Sequence, residues 1–192
     1  MRAIEPHAKK YVTRYGIVIK FTAAGTFART ELRDIQHMFN AAGVGKGIKY
    51  FSLGSGLGDD IFIAARLGAE TAGMEFDKEL YDSSVSILNE IRRLPGFRDL
   101  RVKLAQSDYL KDDNDLSGYD VLYWYYNEGS NTGDFTNAEK LKMKLIMTKF
   151  KPGSKLIIAA GNAWPEFNLW KGRPMAEGFP YCIYIAGENG SF

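Results

Sequence analysis

The chain has 192 residues, 45% of them apolar and 25% charged, a balance that suits one globular domain with a proper core. The net charge is +2, from 25 basic and 23 acidic residues, which gives no global drive toward nucleic acid. One cysteine, Cys182, excludes an internal disulfide and a cysteine-clustered zinc site, and the two histidines, His7 and His37, lie too far apart in sequence to suggest a metal site.

No apolar run approaches the ~20 residues of a membrane span. The opening MRAIEPHAKKYVTRYG lacks the apolar core of a signal peptide, so the expected location is cytoplasmic. Residues 1–29 read as an N-terminal arm or lid, with VTRYGIVIKF as a short strand or part of the arm, and residues 30–192 read as one domain. From Thr30 the pattern is helical: Leu32, Ile35, Phe39 and Ala42 recur every three to four residues, and Gly43 stops the run. Lys49–Leu53 is a buried strand, followed by a loop with glycines at 54, 56 and 58, then a helix over about Asp59–Leu67.

Glu70–Phe76 predicts a second strand, and Asp77 caps a helix to about Arg93. Leu100–Gln106 is a third strand. Tyr119–Tyr126, YDVLYWYY, is apolar enough to be central. Thr136 and Glu139 have the spacing of a capping box for a helix to Phe150. That helix carries the basic run Lys140–Lys144 with Lys149, read as a solvated face. Lys151-Pro152-Gly153 ends it, KLIIAA is a fifth strand, and EFNLW and YCIYIAG predict a hairpin. Strands alternating with helices mean an α/β fold: a three-layer sandwich around a mostly parallel, doubly wound sheet, closed by a C-terminal antiparallel hairpin. Ligands of such sheets sit beyond the carboxyl ends of the strands, where the glycine loop lies.

The loop departs from the dinucleotide pattern Gly-x-Gly-x-x-Gly, because Asp59 stands where the third glycine belongs. Asp59 and Asp60 would also repel a phosphate at the helix start. No Gly-Lys-Ser/Thr follows, which argues against a phosphate-cradling loop. The spacing Gly54-x-Gly56-x-Gly58 resembles instead motif I of class I S-adenosylmethionine-dependent methyltransferases, Asp/Glu-x-Gly-x-Gly-x-Gly. Glu75, Asp108, the aromatic fourth strand and Lys151-Pro152-Gly153 follow in the order of that family, over about Thr30–Ala160.

The resemblance implies that S-adenosylmethionine, and its product S-adenosylhomocysteine, lie across Ser52, Gly54, Ser55, Gly56 and Gly58. It implies Glu75 on the ribose, Phe76 and Asp108 on the adenine, and Tyr109 and Tyr125 packed nearby. Ser52 is a departure, since the family carries an acid there; Asp59 is one residue that could compensate, and a cofactor-binding relative without activity stays open.

The acceptor is expected beyond the fourth strand, where YYNEGSN lacks the Asn/Asp-Pro-Pro-Tyr/Phe of nucleobase amino-methylating enzymes. No cysteine pair serves pyrimidine carbon chemistry, and Asp108, Asn127 and Glu128 make at best an imagined metal cluster. The segments TELRDIQHMFNAAG, SLGSGLGD, DVLYWYY and LKMKLIMTKFKPGSKLII are similar to small non-SET protein-lysine methyltransferases, although the first loop lacks the proline of that family. That likeness implies a lysine acceptor, contacted by Asn127, Glu128 and Tyr125, with Tyr126 and Trp164 as further aromatic candidates. A small metabolite or RNA as acceptor, and an NAD-binding protein, are the alternatives.

Overall fold

The structure, a computed structural model, describes residues 10–12, 18–22, 25–110, 114–125, 144–159, 169–173 and 181–187. Three strands, β1 (Lys10–Val12), β2 (Val18–Thr22) and β3 (Gly25–Ala28), form an antiparallel sheet in the order β1-β2-β3. Part of the segment expected as an irregular arm is therefore regular. The β-branched and aromatic residues of VIKFT favour a strand, and Thr22 pairs directly with Gly25 across a short connection.

The remaining strands make one seven-stranded sheet. They are β4 (Lys49–Leu53), β5 (Glu70–Glu75), β6 (Val102–Gln106), β7 (Val121–Tyr125), β8 (Lys155–Ala159), β9 (Leu169–Arg173) and β10 (Tyr181–Ile185), in the order β6-β5-β4-β7-β8-β10-β9. The first five are parallel, and β10 runs antiparallel to both β8 and β9. The expected hairpin is present, with β9 a few residues later than EFNLW.

Helix α1 (Leu32–Ala42) begins two residues after Thr30 and ends at Gly43, whose φ of 77° lets its N–H reach the Phe39 carbonyl at 2.8 Å. Helix α2 (Asp59–Arg66) follows the glycine loop. Helix α3 (Lys78–Ile91) starts at Asp77, whose carboxylate accepts from the Leu80 N–H as the sequence predicts. Residues 144–147 are helical, the described part of the helix expected to reach Phe150. The Thr136–Glu139 pair lies outside the described residues.

Apolar clusters cover both faces of the sheet. One gathers α1, α2, Tyr50, Val121, Tyr123 and Ile157; the other gathers Phe51, Leu53, Leu122, Trp124, Ile146, Phe150 and Leu156. Residues alternating along β4 and β7 feed opposite faces, the two-residue period of a strand buried on both sides. At the other end of the sheet, Lys151 pairs with Asp120, whose other oxygen accepts from the Lys49 N–H. Lys151 thus ties the turn before β8 to the residue before β7 and, through it, to the start of β4.

Strand order decides where a ligand can enter. The chain runs β4, β5, β6 outward on one side, then crosses back to place β7 on the other side of β4. In sheets of this kind such a reversal is where a ligand crevice opens, here above the carboxyl ends of β4 and β7.

Candidate functional site

The glycine loop fills that crevice and is tied down by the strand next to it. The N–H groups of Gly54 and Ser55 both donate to the Met74 carbonyl, at 3.0 and 2.8 Å. Gly56 N–H donates to Glu75 Oε2 at 2.7 Å, and Gly58 N–H closes a turn onto the Ser55 carbonyl at 2.8 Å. All three glycines have positive φ, at 79°, 53° and 86°, which side-chain-bearing residues rarely adopt. Gly58 is doubly required, since a Cβ there would lie 2.7 Å from the Phe62 ring.

Gly73 was not singled out in the sequence, yet it allows β5 to approach so closely. A Cβ on it would meet Ile61 Cδ1 at 2.3 Å and the Cβ atoms of Ser55 and Ser52 at 3.1 and 3.3 Å.

Glu75 is buried and turned toward the loop. Its Oε1 accepts from the Asp77 N–H at 2.8 Å while Oε2 holds Gly56. Burial raises its pKa, and the backbone donors at Asp77 and Gly56 oppose that rise. Each oxygen keeps a second lone pair, so a diol can still bind. Phe76 follows β5 and is 51% exposed, an open aromatic face at the crevice edge. Asp108 follows β6, and its carboxylate caps its own loop by accepting from the Leu110 N–H at 2.9 Å. Tyr109 packs 3.8 Å from the Cβ position of Gly54, and its hydroxyl accepts from the Trp124 indole N–H at 3.2 Å. Tyr125 ends β7, where burial pushes its phenol pKa up to about 12. The structure thus gathers Ser52, Gly54, Ser55, Gly56, Gly58, Glu75, Phe76, Asp108, Tyr109 and Tyr125 at the carboxyl ends of β4 to β7. Asn127, Glu128, Tyr126 and Trp164 lie outside the described residues.

The two aspartates after the loop divide. Asp59 faces outward, and both its oxygens are taken by the Arg29 guanidinium at 2.8 Å, so it does not stand in for an acid at Ser52. Asp60 faces inward and accepts from the Tyr50 hydroxyl at 2.7 Å. The Ser52 hydroxyl is fully buried and completes no hydrogen bond, though it lies near enough to the Asp60 carboxyl to help hold its pKa down. Desolvation outweighs these neighbours and raises the Asp60 pKa to about 6. Next to this group, Thr30 Oγ1 meets the Tyr123 hydroxyl at 3.2 Å. Helical periodicity could have revealed Asp60, because it sits one turn before the core residue Ala64.

No family model matches the chain, and no curated protein matches it in sequence. Solved structures do resemble it. An RNA methyltransferase from Salinibacter ruber, in complex with S-adenosyl-L-homocysteine, superposes with a TM-score of 0.66 at 22% identity, over 83% of this chain and 94% of that one. HI0767 from Haemophilus influenzae, a suspected methylase, gives 0.60 at 15% identity, over 81% and 98%. This is the Rossmann-like methyltransferase fold. The [4+2]-cyclase SpnF has it too, with a TM-score of 0.56 at 14% identity over 73% of this chain and 58% of that one. Similarity at these identities concerns the fold, and the chemistry has to be argued from the site.

Among the described residues, no group of three or more His, Cys, Asp or Glu side chains could hold a metal ion.

Proposed function

We propose that this chain is an S-adenosylmethionine-dependent methyltransferase acting on the amino group of a protein lysine. The observation that carries the cofactor assignment is the Glu75–Gly56 contact, which pins a side-chain-free loop to a carboxylate at the fold's switch point. The residues fit the cofactor. The glycines leave backbone where the methionine moiety would lie, Glu75 has free lone pairs for two ribose hydroxyls, and Phe76 offers an open ring for adenine. A pyrophosphate at this helix start would instead face the field of the buried Asp60 carboxyl.

When bound, S-adenosylmethionine supplies a methyl group on a sulfonium, which an acceptor displaces in line. The chain's part is to align that acceptor and exclude water. Tyr125, partly buried at the end of β7, would give the acceptor an aromatic wall with little water. Such a wall lowers the pKa of a lysine ammonium, leaving the neutral amine that can attack. Asn127 and Glu128, which follow this wall in sequence, are the proposed acceptor contacts.

An RNA acceptor is the second reading, favoured by the structural likeness to the Salinibacter ruber enzyme. Labelled S-adenosylmethionine offered with lysine-containing protein extract and with total RNA separates the two. Label in protein, mapped to lysine by mass spectrometry, supports the first. Label in RNA alone replaces it with the second, and label in neither leaves a small-metabolite acceptor or a binding protein without transfer activity.

A further inference from the structure

Asp60 presents a problem for the fold. It is a buried carboxylate whose near neighbours among the described residues are the Tyr50 and Ser52 hydroxyls, the Ile61 N–H, the Asp59 carboxylate and, further off, the Tyr123 phenol, none of them a cation. The cation that reaches this end of α2, Arg29, is committed to Asp59. A buried charge without a counter-ion opposes folding, and groups kept in such a state concentrate where a ligand is handled. Beside it, the Ser52 hydroxyl is fully buried and lies near enough to the Asp60 carboxyl to lower its pKa, yet it brings no charge. Ser52 lies on β4 just before the loop of Gly54, Gly56 and Gly58, and Asp60 lies in the first turn of α2 just after it.

We propose that Asp60 is the counter-charge for the cationic cofactor, acting through the glycine loop and filling the role that Ser52 lacks the charge to play. This rests on the assignment of the crevice to S-adenosylmethionine. Asp60 is a positioning residue, since the carboxyl is covered and acts by its field. In a water-poor interior that field reaches further than in solvent. S-adenosylmethionine carries a sulfonium that S-adenosylhomocysteine lacks, so the field favours the substrate over the product. The groups around Asp60 are Tyr50 and Ser52 on β4, Tyr123 on β7, and Asp59 on its own helix with Arg29 upon it. Helix α1, packed against α2, adds the buried Asp34 and His37, whose Nδ1 meets the Tyr181 hydroxyl.

The test is calorimetric titration of wild type, Asp60→Asn and the double variant Ser52→Asp/Asp60→Asn with both ligands, from pH 8 to pH 5. In Asp60→Asn, affinity for S-adenosylmethionine should fall about tenfold and that for S-adenosylhomocysteine about threefold or less. Wild-type preference for the sulfonium should fade as the pH drops through about 6, while the Asn variant shows no such change. Ser52→Asp should restore the preference. Equal losses for both ligands, or a pH dependence that persists in Asp60→Asn, would overturn the proposal and leave Asp60 a structural residue. If wild type binds neither ligand, the cofactor assignment itself falls. Thermal melts establish that each variant is folded, and the wild-type pH series needs no variant.

Discussion

Glu75 and Asp60 are both buried carboxylates at the loop, but they are stabilised differently. Glu75 has two backbone donors, and removing it frees the Gly56 N–H as well as any bound ribose. Glu75→Ala should weaken cofactor binding by roughly 1–3 kcal/mol, the worth of hydrogen bonds to a charged acceptor; unchanged affinity by calorimetry would remove Glu75 from the site. Asp60 has a folded pKa of about 6 against a reference of 3.8. Between these values the folded state binds the proton more tightly than the unfolded state, so stability rises as pH falls through 6 and levels off below about 4. Above pH 6 the charged group therefore costs the fold, by the order of 3 kcal/mol. Asp60→Asn should stabilise the ligand-free protein at pH 8 by about 1–3 kcal/mol, with the gain vanishing near pH 4. Denaturant unfolding across that range checks it, and a variant less stable than wild type at pH 8 would contradict it. Glycine spacing and the acid that ends β5 were legible in the sequence because each is local. The partner of each aspartate was not, because Arg29, Tyr50 and Ser52 come from other elements.

At the scale of elements, the strands and helices of the sheet were legible from periodicity and from their stops at Gly43, Gly68 and Pro152-Gly153. Their ends were less so. Thr30 has a hydroxyl that bonds to Tyr123 and lies outside α1, a tertiary contact with no local signal. The β1-β2-β3 sheet was only half anticipated, since a short strand reads like an extended arm until its partner is known. Gly73 shows the same limit: within β5 it looks like a weak strand residue, and its reason is the contact with Ile61 and the loop. Gly73→Ala should destabilise by about 1–3 kcal/mol through overpacking and loosen the loop, measurable as a lower melting temperature with weaker ligand binding. The Arg29–Asp59 pair joins the end of the N-terminal sheet to α2, but the arginine is 48% exposed. Arg29→Ala should therefore cost less than about 1 kcal/mol in denaturant unfolding. A larger loss would mean that the N-terminal sheet is integral to the domain's stability.

For the whole molecule, the strand order places the crevice, and the crevice places the chemistry. The alternation of helix and strand predicted a parallel sheet, and the strand order puts the loop, Glu75, Phe76, Asp108 and Tyr125 together at the carboxyl ends of neighbouring strands. Charge and length carried little of that information, whereas the ordered spacing of the loop, the acid and the aromatic strand carried most of it. The acceptor was less legible, because the residues proposed to contact it, Asn127 and Glu128, follow β7 in a stretch of sequence with no periodic pattern. The central claim is that the crevice receives S-adenosylmethionine. Parallel calorimetric titrations at neutral pH with S-adenosylmethionine, S-adenosylhomocysteine and NAD test it directly. Micromolar binding of the first two and none of NAD is the predicted result. Binding of NAD, or of none of the three, would contradict it.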